Sequence, residues 1–202
     1  MNEIFRRPIS DPPKPGTTQA GDGLPRRKWS VHDIERMLEA GILQEGERFE
    51  LIGGDLVAMS AKGNHHETLK IALCDFFHGA KPLSVQVAQE TPFRLADHDE
   101  PVPEFIVYPR AIKPRDVRGD TVLLVVEVAD SSLGIDLGRK AKLYAGFGVR
   151  EYWVINAVRR LTTVHREPDP AGYASVVEVA GSERLVPLLV PALAVRLDDL
   201  EL

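Results

Sequence analysis

The chain has 202 residues, with 44% hydrophobic and 27% charged side chains and a net charge of −5 at pH 7. This length and balance are typical of a single globular domain with a full core, and the acidic charge argues against a protein that coats nucleic acid passively. No apolar run approaches the roughly 20 residues of a membrane helix, and residues 1–23 lack the apolar segment of a secretory signal.

The sequence contains a single cysteine, Cys74, which cannot form an internal disulfide. Its apolar neighbours predict a small buried side chain rather than a nucleophile. We therefore expect a cytoplasmic protein, because thiols stay reduced in that compartment.

Residues 1–27 are rich in proline, glycine, threonine and arginine and show no apolar periodicity. They predict a flexible arm, followed by one domain over residues 28–202. The arginines of the arm could contact phosphate, although a solvated tail is the simpler interpretation.

Local patterns predict a helix, a hairpin and a second helix in the first part of the domain. Ser30 is a favourable N-cap for a helix that Gly41 ends. Segment 49–59 has two glycines between apolar runs and predicts a β-hairpin. Asn64 is expected to cap a longer helix over residues 65–79, with one apolar face.

The second part of the domain alternates strands with one helix. Residues 121–128 are apolar at nearly every position, as in a central strand covered by helices on both faces. Asp136 is expected to begin a helix that Gly148 ends. Further strands are predicted at 83–88, 93–95, 105–108, 152–155, 161–165, 173–179 and 185–189. This order predicts an α/β (α+β) fold with a mixed β-sheet flanked by helices.

Charged residues stand at the ends of two predicted strands and on the helix that follows them. Glu104 precedes the strand 105–108, Glu127 ends the long apolar run, and Lys140 lies in the first turns of the next helix. If the two strands are neighbours, their carboxylates meet at one point of the sheet. Such hard oxygen ligands suit Mg²⁺ or Mn²⁺ together with phosphate, and the backbone carbonyl of Val128 could add a ligand.

The residue types suggest hydrolysis of a phosphodiester. The metal would lower the pKa of a bound water, and Lys140 would orient that water and offset negative charge. Tyr144 lies on the same helical face, four residues further on. For two residues an interpretation without a catalytic role stays open. Asp136 suits an N-cap better than a metal ligand, and Glu104 could be a solvated acid.

Other common catalytic patterns are missing from the sequence. There is no Walker-type phosphate loop, no GxGxxG after a strand and no GxSxG elbow. His65 and His66 begin a predicted helix, but no other histidine or cysteine lies nearby at ligand spacing, so zinc is not expected.

Several segments together resemble the Uma family of restriction-endonuclease-like proteins, in the PD-(D/E)XK nuclease superfamily. The resemblance covers residues 29–197. It is carried by FELIGGDLVAMS, LLVVEVADSS and GVREYW, with His66, Pro103, Glu104, Asp136, Lys140 and Tyr144. It implies a restriction-endonuclease-like core.

The resemblance also implies roles for particular residues. Glu104 stands where the family has the acid of its Pro-Asp pair, and Glu127 matches the second acid. The superfamily often has a lysine where this chain has Ala129, whereas the Uma pattern moves that lysine to the next helix, here Lys140.

Two further positions nearer the N-terminus match the family. Glu50 becomes a secondary metal ligand by this resemblance, and His66 a supporting residue. The chain departs from the family in having Glu for Asp at position 104 and Ala-Asp-Ser for Leu-Ser-Pro at 129–131.

The leading hypothesis is a Mg²⁺-dependent endonuclease that hydrolyses DNA phosphodiester bonds. The alternative is a catalytically inactive binding or assembly module that keeps the nuclease fold, and a third possibility is a partner in a toxin or mobile-element system. A homodimer is expected, because two sites related by a twofold axis suit a double-stranded substrate.

Overall fold

The structure is a computed structural model that describes residues 17–19, 25–44, 46–59 and 61–201. Its first elements are two small strand pairs and one helix. They are β1 (Thr17–Gln19) paired with β2 (Pro25–Arg27), α1 (Val31–Glu39), and β3 (Phe49–Ile52) paired with β4 (Asp55–Ala58). The rest of the predicted arm lies outside the described residues.

The first helix and the hairpin form as the sequence predicts. The Ser30 Oγ atom accepts a hydrogen bond from the Asp33 backbone N at 3.1 Å, and Asp33 Oδ2 accepts one from the Ser30 backbone N at 3.0 Å. This reciprocal pair is a capping box. In the turn between β3 and β4, Gly53 and Gly54 have φ of 62° and 84°, the left-handed values that a tight hairpin turn requires.

A six-stranded mixed sheet forms the centre of the fold. Its strands are β5 (Val85–Gln89), β6 (Phe105–Pro109), β7 (Leu124–Ala129), β8 (Glu151–Asn156), β9 (Leu161–Asp169) and β10 (Gly172–Ala180). Their order across the sheet is β10-β9-β8-β7-β6-β5. β7 and β8 pair in parallel, and the other neighbours are antiparallel.

The parallel pair requires a crossover, because no tight turn can join parallel strands. The crossover is a helix over residues 133–146, here called the crossover helix. It consists of an α-helical turn α3 (Leu133–Ile135), a π-helical turn (Asp136–Lys140) and α4 (Ala141–Gly146). The longer α2 (Asn64–Ala80) precedes the sheet in the chain.

The two longer helices cover opposite faces of the sheet. Leu124, Val126 and Val128 belong to the hydrophobic cluster that includes Leu69, Leu73 and Phe77 of α2. Val125 and Ala129 belong to the cluster that includes Ala141 and Tyr144 of the crossover helix. Every residue of β7 is buried, so the prediction of a central strand covered on both faces is confirmed. Glu127 lies between Val125 and Ala129 in the strand and shares their face of the sheet, so it faces the crossover helix.

Three local predictions, at residues 63–64, 93–95 and 185–189, were wrong. The residue before α2 is Gly63 rather than Asn64, with no side-chain cap; a Cβ at Gly63 would lie 2.7 Å from Asp130 Oδ2, so this close approach favours glycine. Residues 93–95 are not a strand, because their backbone bonds stay within the local loop. Residues 185–189 form no strand beyond one bridge from Leu185 to Val195.

Within the described part of the chain, no helix is long and apolar enough to cross a membrane.

The packing of α2 on the sheet leads to a stability prediction. Leu73 is fully buried, whereas Ile71, two residues earlier on the same helix, is 57% exposed. We expect Leu73→Ala to lower the free energy of unfolding by about 2–5 kcal/mol through lost burial and a residual cavity, and Ile71→Ala to change it by less than about 0.5 kcal/mol. Urea denaturation of both variants measures the difference, and equal losses would contradict this account of the core.

Candidate active site

The two predicted carboxylates lie on neighbouring strands. Phe105 of β6 is paired with Val126 of β7, so Glu104 and Glu127 are close in space. The Glu104 backbone N donates a hydrogen bond to Glu127 Oε2 at 3.3 Å. Both side chains are buried. Glu127 stands within β7 rather than at its end, because the strand continues to Ala129.

The ammonium of Lys140 lies among three carboxylates. Its Nζ is 2.9 Å from Glu50 Oε2, 3.0 Å from Glu127 Oε1 and 3.5 Å from Asp136 Oδ1. The Lys140 side chain is buried, whereas Lys142 on the same helix is exposed. The crossover helix thus directs Lys140 toward β7, as the strand–helix spacing indicates, and Lys142 toward solvent.

Asp136 is not the N-cap of this helix, because the helix begins three residues earlier at Leu133. Its side chain is buried, and its Oδ2 accepts a hydrogen bond from Ser132 Oγ at 2.6 Å. Its carbonyl oxygen accepts one from Tyr152 Oη at 3.1 Å. Asp136 and Lys140 are the first and last residues of the π-helical turn, a distortion that is frequent at functional sites.

Glu50 and Tyr144 complete the surroundings of Lys140. Glu50 comes from β3, where its Oε1 accepts a hydrogen bond from the Val102 backbone N at 2.7 Å. This bond leaves Oε2 directed at Lys140. Tyr144 Oη donates to Glu127 Oε1 at 3.4 Å. The hairpin, the central strand and the crossover helix therefore each contribute to one buried cluster.

Glu104 is held by a second, separate pair of side chains, Lys62 and His66. His66 Nε2, near the start of α2, lies 3.0 Å from Glu104 Oε1. The Nζ of Lys62 lies 2.8 Å from Oε1 and 3.0 Å from Oε2 of the same carboxylate. Lys62 also contacts Glu90. Lys62 was not predicted from the sequence, since it is one lysine in a polar loop and only the folded sheet brings Glu104 to it.

Burial and charge act differently on the carboxyl groups of the site. Burial raises the pKa of Glu127 to about 8, with Asp136 and Glu50 adding to the rise and Lys140 opposing it. Burial also raises the pKa of Asp136. For Glu104 burial acts in the same direction, but His66 and Lys62 outweigh it, and its pKa is lowered. Burial and the neighbouring acids therefore favour the protonated form of the Glu127 carboxyl group.

The oxygen atoms of Glu104, Glu127 and Val128 are the donors that a divalent metal ion would use at this site. Among the residues that the structure describes, no group of three or more histidine, cysteine, aspartate or glutamate residues could hold a metal ion. Mg²⁺ commonly takes only one or two protein carboxylates and keeps several waters. Glu104, Glu127 and Val128 line a cavity of about 60 Å³, large enough for several waters. The hard oxygen donors of these residues fit such an ion.

The mixed sheet, its parallel strand pair and the crossover helix define a mixed α/β fold. The chain belongs to the Uma2 family, described as “Putative restriction endonuclease”, whose model matches residues 31–198. The predicted family is therefore confirmed.

A solved structure and the curated proteins add to this comparison. The crystal structure of “a putative nuclease belonging to DUF820” from Anabaena variabilis ATCC 29413 has a similar fold, with a TM-score of 0.63 and 11% identity. The likeness covers 84% of this chain and 96% of that chain. None of the curated proteins matches this chain.

The raised pKa of Glu127 predicts a pH-dependent stability for the metal-free protein. Between the ordinary glutamate pKa of 4.5 and about 8, the folded state keeps a proton on Glu127 that the unfolded state loses. Stability must therefore fall as pH rises through this range, by up to about 1.4 kcal/mol per pH unit. Glu127→Gln removes the titrating group, so we expect the stability of the wild type relative to this variant to fall from pH 5 to pH 8.

Urea denaturation in the presence of a chelator measures this difference at each pH. Glu178→Gln is the control, because Glu178 is an exposed acid on β10 and its substitution should give a difference that changes little with pH. A wild-type-minus-Glu127→Gln difference that stays flat from pH 5 to pH 8 would show that Glu127 is ionised throughout.

Proposed function

We propose that this protein is a Mg²⁺- or Mn²⁺-dependent endonuclease that hydrolyses DNA phosphodiester bonds. The observation that carries the proposal is the buried Lys140 ammonium, 3.0 Å from Glu127 and 2.9 Å from Glu50, beside Glu104 on the neighbouring strand. The nuclease family and fold support hydrolysis of nucleic acid. We propose in addition that the protein uses a divalent metal, that DNA is its substrate and that each residue has the role given below.

Glu104, Glu127 and the backbone carbonyl of Val128 would hold the metal, with Glu50 as a secondary ligand. When bound, the ion would supply an acidified water and stabilise the charge that develops on the phosphate. His66 would support the site by its contact with Glu104 Oε1 at 3.0 Å.

Lys140 would act as a fixed positive charge rather than as a base. Burial opposes its charged form, but Glu127, Glu50 and Asp136 outweigh burial and raise the pKa of Lys140 above its ordinary value. A charged ammonium can donate hydrogen bonds to an attacking water and to a phosphate oxygen, and it can offset negative charge in the transition state. Tyr144 would help by fixing Glu127 through its hydroxyl group.

One observation favours the alternative of a non-catalytic module. Glu104 is already in an ion pair with Lys62, and Glu127 with Lys140. A buried acid whose charge is compensated by lysine is stable without any metal. A binding or assembly module could therefore retain this cluster for its structure alone.

A homodimer remains part of the proposal. Two sites related by a twofold axis would address the two strands of a duplex. A protein that cuts one strand at a time needs no second copy. A dimer should therefore cut both strands of a duplex, whereas a monomer should nick one strand.

The proposed chemistry is tested by nicking of supercoiled plasmid DNA with Mg²⁺ or Mn²⁺. We expect Lys140→Met and Glu127→Gln each to lower the initial rate by about 100-fold or more, because each removes a charge that the transition state needs. Lys142→Met is the matched control, since Lys142 is exposed on the same helix and should keep the wild-type rate.

The double variant Lys140→Met, Glu127→Gln removes both members of this contact, so neither side chain is left without its partner, and a thermal melt would detect misfolding. Equal nicking by the wild type and this folded double variant would refute the endonuclease assignment. Duplex DNA, single-stranded DNA and RNA offered in parallel would define the substrate.

A further inference from the structure

Lys62 connects the candidate active site to a second acidic residue outside it. The residue lies in the loop between β4 and α2, and its side chain is only 10% exposed. Its Nζ contacts both carboxylate oxygens of Glu104, at 2.8 and 3.0 Å. It also contacts Glu90 Oε1. Neither the family resemblance nor the proposed mechanism gives this lysine a role.

The ammonium of Lys62 takes the acceptor positions that a metal ion on Glu104 would need. Glu104 Oε1 is contacted by both Lys62 and His66, and Oε2 by Lys62. A cation and an ammonium cannot approach the same oxygens without repulsion. Lys62 in this position therefore opposes the binding of a divalent ion to Glu104, and its withdrawal would favour that binding.

Glu90 provides a place to which the ammonium can withdraw. It follows β5, and its backbone N donates to the Glu104 carbonyl oxygen at 3.2 Å, so the two acids are fixed side by side. Glu90 has a φ of 42°, a left-handed conformation that is unfavourable for glutamate. Its carboxylate also lies 2.8 Å from Arg48 Nη2 and 3.6 Å from Lys70 Nζ.

We propose that Lys62 is a placeholder cation, which neutralises Glu104 in the metal-free protein and moves onto Glu90 alone when a divalent ion binds. The inference rests on the proposed function, since it assumes that Glu104 binds metal. By this inference Lys62 weakens metal binding, whereas the acidic residues supply the metal ligands. Glu90 opposes Lys62 by offering its ammonium a second partner.

Metal binding by the full-length protein without nucleic acid is the test. Mn²⁺ is titrated and the free ion is measured by electron paramagnetic resonance. We expect Lys62→Met to lower the Mn²⁺ dissociation constant about tenfold, because a competing positive charge is gone. Lys62→Arg keeps the charge and should stay within about threefold of the wild type.

Lys70→Met is the matched control. Lys70 forms ion pairs with Glu67 and Glu90 and acts on Glu104 only at longer range, so its loss should change the dissociation constant by less than about twofold. Glu90→Gln should weaken Mn²⁺ binding severalfold, because Lys62 is then held by Glu104 alone. In the Lys62→Met background Glu90→Gln should have no such effect.

The outcomes separate this inference from the proposed function. Mn²⁺ binding by folded Lys62→Met that is equal to or weaker than that of the wild type overturns the placeholder role, and so does an equal gain from Lys70→Met. If Lys62→Met binds Mn²⁺ more tightly than the wild type but the wild type cleaves no nucleic acid, the placeholder role stands and the endonuclease proposal is overturned. Failure of every variant to bind Mn²⁺ overturns both.

Discussion

The burial of the Lys140 ammonium is the constraint on which the rest of the site depends. An uncompensated charge at this depth would cost several kcal/mol, so the fold must bring acids to it from separate parts of the chain. Glu127 comes from the central strand and Glu50 from the hairpin. The hairpin is therefore held against the sheet by an ionic contact as well as by its apolar residues. Removal of any one partner would leave the others with unbalanced charge.

The site is divided into two halves with different electrostatic character. Around Lys140, burial dominates and the pKa of Glu127 rises to about 8. Around Lys62 the cationic groups dominate, and the pKa of Glu104 is lowered. One carboxyl group thus stays ionised to lower pH than usual, and its neighbour keeps its proton to higher pH than usual. Such a pair of acids in contrasting environments is frequent at functional sites.

The sequence alone predicted the part of the site that depends on local order. An apolar strand, a polar turn and a helix follow one another, so the approach of Lys140 to Glu127 can be derived from strand and helix rise. The contact of Glu50 with Lys140 came only from family resemblance, because it depends on where a distant hairpin packs. No local sequence pattern predicts the contact of Lys62 with Glu104. The sheet itself was predicted well, except at 93–95, where loop bonds replace a ladder, and at 185–189, where only one bridge forms.

The π-helical turn at Asp136–Lys140 has a consequence for how this chain can change length. A π turn holds one residue more than an α turn, so the crossover helix contains a residue that a regular helix would not need. Deleting one residue there would restore a regular α-helix and leave the directions of its two ends nearly unchanged. Deleting one residue of α4 between Lys140 and Tyr144 would instead rotate the side chains that follow by about 100° relative to those that precede. Lys140 and Tyr144 could then no longer both reach Glu127 of β7, so the crossover helix can lose a residue at its π turn but not in α4.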